Sequence, residues 1–244
     1  MIKKGAPKVI ANWKMNGTLD LLSTMVDDLS SENLDHNIIF CLPFPLLGYA
    51  FVKYSNIILG AQDCHEQERG AFTGCTSAQM LSELNIKYVV LGHSERRQYC
   101  HETNALIKQK AMTSFQNGFF PILCVGESLD IYNKGDSKNF VSNQVKELTS
   151  GLDFPFAIAY EPLWSIGSGV LPKMDEIVEI IDAIHVICPD VKVYYGGSVN
   201  SANAFDIVHC RGLYGVLVGG ASLKSDELIS IVKAFNQVAP HIPN

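Results

Sequence analysis

Glu161 stands where chemistry could be done. It ends the apolar run Phe156-Ala157-Ile158-Ala159-Tyr160 and is followed by Pro162, Trp164 and the glycine-flanked stretch Gly167-Ser168-Gly169. His93 and Glu95, in GHSERR, follow a second apolar run, and Asn12-Trp13-Lys14 follow a third. A carboxylate base paired with a histidine points to proton movement next to a carbonyl. Two glycine-rich turns, Gly196-Gly197-Ser198 and Gly219-Gly220, end two further runs. Without side chains, such turns let phosphate oxygens approach backbone N–H groups. Ser198 can add a hydroxyl, Gly167 another N–H and Lys14 the countercharge. The expected ligand is a small phosphorylated molecule whose other end faces Glu161, His93 and Asn12.

Taken alone, each residue has an ordinary reading. A strand-end lysine is usually a solvated charge, a histidine before Ser-Glu a loop or cap residue, and a glycine pair a tight turn. Cys124, inside FFPILCVGE, suits core filling better than nucleophilic attack and enters only as a supporting residue. Agreement among five strand ends on one chemistry is what shifts the balance. None of the histidines has an HExxH or similar ligand spacing, so no metal is expected. GHSER is no nucleophile elbow, because its fifth residue is Arg96 rather than glycine. A Schiff-base aldolase would place a lysine where Glu161 stands.

The elements that must position these residues recur evenly. Eight short β-rich runs, KVIAN, NIIFCL, IILGAQ, YVVLGH, FFPILCV, FAIAYEP, VKVYYGG and GVLVGG, are near-continuous in hydrophobicity, as strands covered on both faces are. Most are separated by helix-like segments. In the clearest, MDEIVEIIDAIHVI, residues Ile177, Ile180, Ile181 and Ile184 share one face. Strand then helix, repeated eight times in 244 residues, is the pattern of an α/β fold of the (β/α)8 TIM-barrel type, in which all eight strand ends surround one mouth. An open doubly wound sheet would show fewer strands and, for a dinucleotide, a GxGxxG turn where this chain has NWKMNGT. No linker or composition shift divides the chain, so one domain over residues 1–244 is expected, with a mobile flap at about 162–172.

Composition narrows the partners. Hydrophobic residues make up 47% of the chain and charged residues 18%, and no apolar run approaches the roughly 20 residues that span a bilayer. The net charge of −6, without a basic block, argues against nucleic acid or an anionic membrane as partner. Seven cysteines lie at irregular spacings with no CxxC pair, which fits reduced thiols in a cytoplasm. The opening stretch MIKKGAPKVIANWK has neither a long apolar segment nor a small-residue cleavage site, which argues against a secretory signal.

NWKMNGT, AFTG, GHSERR, PILCVGE, AYEPLWSIGSG, YGGSV and LVGGASL, in that order, resemble the triosephosphate isomerase family from end to end. The resemblance implies a cofactor-free, homodimeric barrel that interconverts dihydroxyacetone phosphate and D-glyceraldehyde 3-phosphate, in glycolysis and gluconeogenesis. It implies Glu161 as the proton carrier and His93 as the electrophile. This family is itself the standard case of a histidine kept neutral by a helix N-terminus, and of a lid that excludes water. Asn12 and Lys14 would hold the carbonyl oxygen and the enediolate charge, with Trp13 counted beside them in substrate binding. Glu95 would support the lysine, and Gly167, Ser198, Gly219 and Gly220 would wrap the phosphate. Thr73 and Gly74 would reach into the partner subunit's site.

Some positions depart from the family pattern. Leu163, Ser165 and Ser168 are mild changes in the flap, while Val170-Leu171 makes a bulkier second hinge. Cys75 stands where the family has a glutamate that pairs across the subunit interface, so its expected partner, Arg96, would lack that ion pair. Tyr132 replaces a frequent arginine. Two rivals remain: another phosphate-binding barrel, such as an epimerase or aldolase, and a non-catalytic barrel.

Overall fold

The computed structural model describes residues 8–237. Residues 1–7, on which part of the secretory-signal reading rests, lie outside them. Eight strands form a closed parallel barrel in which each pairs with its sequence neighbours and the last closes on the first. They are β1 Val9–Asn12, β2 Ile38–Leu42, β3 Ile58–Ala61, β4 Tyr88–Leu91, β5 Phe120–Val125, β6 Ala157–Tyr160, β7 Lys192–Tyr195 and β8 Gly215–Val218. Each falls inside one of the eight apolar runs of the sequence. The fold is the (β/α)8 barrel expected from them.

Helices fill the crossovers: α1 Leu19–Ser31, α2 Phe44–Lys53, α3 Ala78–Ser82, α4 Ser94–Tyr99, α5 Asn104–Gln116, α6 Leu129–Asn133, α7 Ser137–Thr149, α8 Met174–Ile187, α9 Ala204–Val208 and α10 Ser225–Gln237. Their starts follow from local chemistry. Thr18, Ser77 and Thr103 each accept a backbone N–H of the first turn with their hydroxyl oxygen. In α8 the carboxylate of Glu176 reaches back to the N–H of Lys173 at 3.0 Å. All four isoleucines picked out by helical spacing in α8 are buried.

The alternation of strand side chains splits the core in two. Ile10, Ile39, Val90, Ile122, Ala157, Ala159, Tyr194 and Leu217 fill the barrel interior. Val9, Ala11, Phe40, Leu91, Leu123, Ile158, Val193 and Val218, at the intervening positions, pack outward against the helices. The same alternation decides which residues beyond each strand point into the mouth. Two steps on from Ile10, Ala159, Tyr194 and Leu217 come Asn12, Glu161, Gly196 and Gly219. Strand parity has therefore placed a base, an amide and two glycines over one opening before any loop is considered.

Candidate active site

One cavity of about 320 Å3 opens at the carboxyl ends of the strands. Asn12, Lys14, His93, Glu161, Gly167, Ser198, Gly219 and Gly220, all singled out from sequence, line it. Glu161 is buried and its two oxygens are separately engaged. Oε1 lies 3.1 Å from Nε2 of His93, and Oε2 accepts the backbone N–H of Ser94 at 3.0 Å. His93 caps α4: its Nδ1 accepts the N–H of Glu95 at 3.3 Å. A nitrogen that accepts a hydrogen bond carries no proton, so the ring proton sits on Nε2 and points toward Glu161. The contact of Nδ1 with Oε2 of Glu95, at 3.6 Å, is too long to be a hydrogen bond and does not alter this assignment.

Two glycines make room for Glu161, Gly126 for its backbone and Gly196 for its side chain. A Cβ on Gly126 would fall 1.8 Å from the carbonyl oxygen of Glu161, and one on Gly196 would fall 2.8 Å from its Cγ. Gly126→Ala would have to push the end of β6 aside. It is expected to destabilise the protein by at least the 1–3 kcal/mol typical of overpacking, about, and to lower turnover with it. Thermal unfolding and a rate assay on the same preparation check this.

Lys14 occupies left-handed backbone, at φ 54°. Such a conformation is uncommon for a residue with a side chain and persists only where its surroundings fix it. Here its N–H donates to Oδ1 of Asn12 at 3.0 Å, and its carbonyl accepts Nε2 of Gln62 at 2.9 Å. Gln62 also reaches the carbonyl of Cys41, so it ties the turn after β1 to the end of β2. The Lys14 ammonium pairs with Oε1 of Glu95 at 2.7 Å and passes over Gly219, whose Cβ would stand 3.3 Å from the lysine Cε.

The remaining residues singled out from sequence lie elsewhere. Trp13 does not join the cavity: it follows Asn12, so parity turns it outward, and its fully buried indole lies where Gly17 has no side chain. It serves the turn through packing, which corrects its place among the substrate-binding residues. Cys124 lies in the barrel interior, and burial, reinforced by Glu161, pushes its thiol well above the usual range, as suits a core residue. Thr73 and Gly74 are exposed on the loop before α3 and do not line this chain's cavity. Arg96, the residue expected to lack an ion pair across the subunit interface, has carboxylate partners within its own chain. It pairs with Asp63 at 2.8 Å and Glu102 at 2.6 Å.

The flap holds the clearest surprises. Ser165, a mild change on sequence grounds, is fully buried and knots the segment together. Its hydroxyl donates to the carbonyl of Val170 at 2.6 Å, accepts the N–H of Ser198 at 3.3 Å and meets the hydroxyl of Tyr195 at 3.3 Å. The Ser198 hydroxyl donates to the carbonyl of Ser165 and accepts the N–H of Gly169, so it is spent on the flap as both donor and acceptor. Trp164 is anchored by more than apolar contact. Its Nε1 donates to Oε1 of Glu127 at 3.0 Å, beside the Tyr160 hydroxyl at 3.2 Å, and its ring lies on Tyr132 at 4.1 Å.

Glu127, completely buried, was missed by sequence reasoning. The signal was present: it ends the β5 run as Glu161 ends that of β6. Lys224 and Glu227, just before and within α10, also line the cavity and were not singled out. Among the described residues no group of three or more His, Cys, Asp or Glu is placed to hold a metal ion, and no helix is long and apolar enough to cross a membrane.

Fold and cavity together define a (β/α)8 barrel with a polar, glycine-cradled site at the carboxyl ends of its strands, where barrel enzymes build their active sites. The chain belongs to the triosephosphate isomerase family, whose model matches residues 7–235. It is 40% identical over 227 residues to the triosephosphate isomerase of Wolbachia sp. subsp. Brugia malayi (strain TRS), covering 92% of this chain and 96% of the relative. It is 39% identical over 241 residues to that of Mycoplasmopsis pulmonis, covering 93% and 97%. With the Cytophaga hutchinsonii enzyme of the same name it shares 38% over 248 residues, covering 93% and 99%.

Proposed function

We infer that this chain interconverts D-glyceraldehyde 3-phosphate and dihydroxyacetone phosphate by proton transfer through an enediolate. The observation that carries this reading is the pairing of Glu161 and His93, 3.1 Å apart, on the same cavity as Lys14 and the two glycine turns. The Glu161 carboxylate takes the proton from the carbon next to the carbonyl and returns it to the adjacent carbon. The Nε2–H of His93 donates to the carbonyl oxygen as charge develops there, and the imidazole then takes the hydroxyl proton from the neighbouring oxygen, so that carbonyl and hydroxyl change places as the carbon-bound proton moves. A neutral imidazole suits this task because α4 points its N-terminal N–H groups at the ring. Asn12 spends Oδ1 on the Lys14 N–H, which leaves its amide nitrogen to donate to the substrate. Lys14 balances the charge of the enediolate and phosphate. No step calls for a cofactor.

The phosphate sits against the N–H groups of Gly219 and Gly220 and of the flap at Gly167. To join them, Ser198 exchanges its bonds to Ser165 for the phosphate oxygens. The flap at about 162–172 opens to admit substrate and closes to keep water from the enediolate. Val170 and Leu171 bear on the rate of that motion rather than on the chemistry. A coupled assay with glyceraldehyde 3-phosphate tests the reading. Rapid isomerisation supports it, whereas inactivity, or preference for a larger sugar phosphate, would favour one of the rival barrels.

The functional unit is a homodimer in the cytoplasm. The support is family membership and the exposed loop of Thr73 and Gly74, which is free to enter a second copy's site. Dilution to monomer is expected to abolish most activity, read as specific activity against concentration alongside sedimentation. A fully active monomer would refute the shared site.

A further inference from the structure

Behind α4, away from the substrate, lie four charged side chains that the proposed reaction does not use. Lys110 of α5, itself buried, donates to Asp63 Oδ1 at 2.8 Å, to Asp63 Oδ2 at 3.0 Å and to Glu102 Oε1 at 2.6 Å. Arg96 of α4 reaches the same two acids, through Nη2 to Asp63 Oδ2 at 2.8 Å and through Nε to Glu102 Oε1 at 2.6 Å. Two cations and two anions close into a ring. The charge balance is complete within one chain, and Asp63 and Glu102 are both buried.

The ring bears on the site through Arg96. Its backbone N–H donates to the carbonyl of His93 at 2.8 Å, and its side chain is the only part of α4 in the ring. The N-terminus of this helix supplies the Ser94 N–H that holds Glu161 and the Glu95 N–H that fixes the His93 tautomer. A helix of six residues is too short to be rigid on its own, so its orientation is set by tertiary contacts. Arg97 supplies one such tie, donating to the carbonyls of Gly92 at 2.9 Å and Cys124 at 3.0 Å. The ring supplies another. Of its members, Asp63 alone comes from the β3 side of the barrel; Arg96, Glu102 and Lys110 all follow β4 in the chain.

We propose that Asp63 is a positioning residue for the reaction: by tethering Arg96 to the end of β3, it aims the N-terminus of α4, and with it His93 and Glu161, at the reacting carbons. This rests on the isomerase reading above. Misplacement of reacting groups by about 1 Å costs on the order of a hundredfold in rate, so a loosened tether has room for a large effect.

The test is Asp63→Asn, which keeps the shape but turns an amide toward two cations. It is expected to lower kcat roughly 10- to 100-fold while KM for glyceraldehyde 3-phosphate stays within about threefold, because the phosphate cradle is untouched. The ring 15N resonances of His93 are expected to move from those of a fixed Nε2–H tautomer toward tautomeric averaging. Asp63→Glu, which retains the charge, should recover part of kcat. Arg96→Gln cuts the same tether from the other end and is expected to reproduce both changes. It is decisive if Asp63→Asn does not fold. A folded Asp63→Asn or Arg96→Gln protein with a lowered Tm but wild-type kcat and His93 resonances would overturn the proposal and leave the ring a purely structural device. Should the wild-type chain prove inactive on triose phosphates, the isomerase reading fails instead, and the His93 resonances still decide whether Asp63 positions the ring.

Discussion

Glu161→Gln is expected to lower kcat for isomerisation of glyceraldehyde 3-phosphate by at least about a hundredfold, within the roughly 10²–10⁴ that a positioned general base supplies. The substitution keeps the volume of the side chain, so the opening left by Gly196 still accommodates it. It removes the lone pair that receives the proton. It also creates a mismatch: Oε1 and Oε2 now face the donors His93 Nε2–H and Ser94 N–H, and an amide can offer an oxygen to only one of them. The loss should therefore fall on kcat, with KM changed little, because no phosphate contact is lost. A variant that folds and retains more than about a hundredth of the wild-type rate counts against Glu161 as the proton carrier.

Lys14→Met is expected to weaken both binding and turnover, by on the order of 10²–10³ in kcat/KM, the range for loss of one preorganised donor to developing charge. Both residues must adopt the same left-handed backbone, so the conformational cost at φ 54° is common to the two proteins and the comparison isolates the charge. Glu95 loses its partner at 2.7 Å but is well exposed, so water can replace it and stability should change little. The checks are the inhibition constant of a phosphate-bearing substrate analogue and the steady-state rate. If neither moves, Lys14 is not the countercharge.

The barrel was legible because its strands are short, apolar and evenly spaced, and because parity then fixes which strand-end residues face inward. Asn12, Glu161, Gly196 and Gly219 follow from that rule alone. The same rule would have excluded Trp13, one step out of phase with Asn12. What escaped were polar residues whose partners lie far away in sequence. Ser165 looks like a mild flap substitution until Tyr195 and Ser198 converge on its hydroxyl. Glu127 was not singled out, and its role shows only where Tyr160 and Trp164 converge on its carboxylate. The intrachain partner of Arg96 escaped as well, because Asp63 lies 33 positions upstream. Hydrogen-bond partners depend on three-dimensional closure, and residue types alone do not encode it.

In the proposed reaction a single carboxylate carries a proton between two adjacent carbons of the substrate. Turnover of glyceraldehyde 3-phosphate in D2O, followed by NMR of the carbon-bound hydrogens, tests it most directly. Deuterium is expected at the carbons flanking the transferred carbonyl in the triose phosphates formed, because a proton resting on Glu161 can exchange with solvent before it is returned. Complete conversion with no carbon-bound deuterium at either position would mean that hydrogen moves without visiting an exchangeable base, and Glu161 would not be the proton carrier.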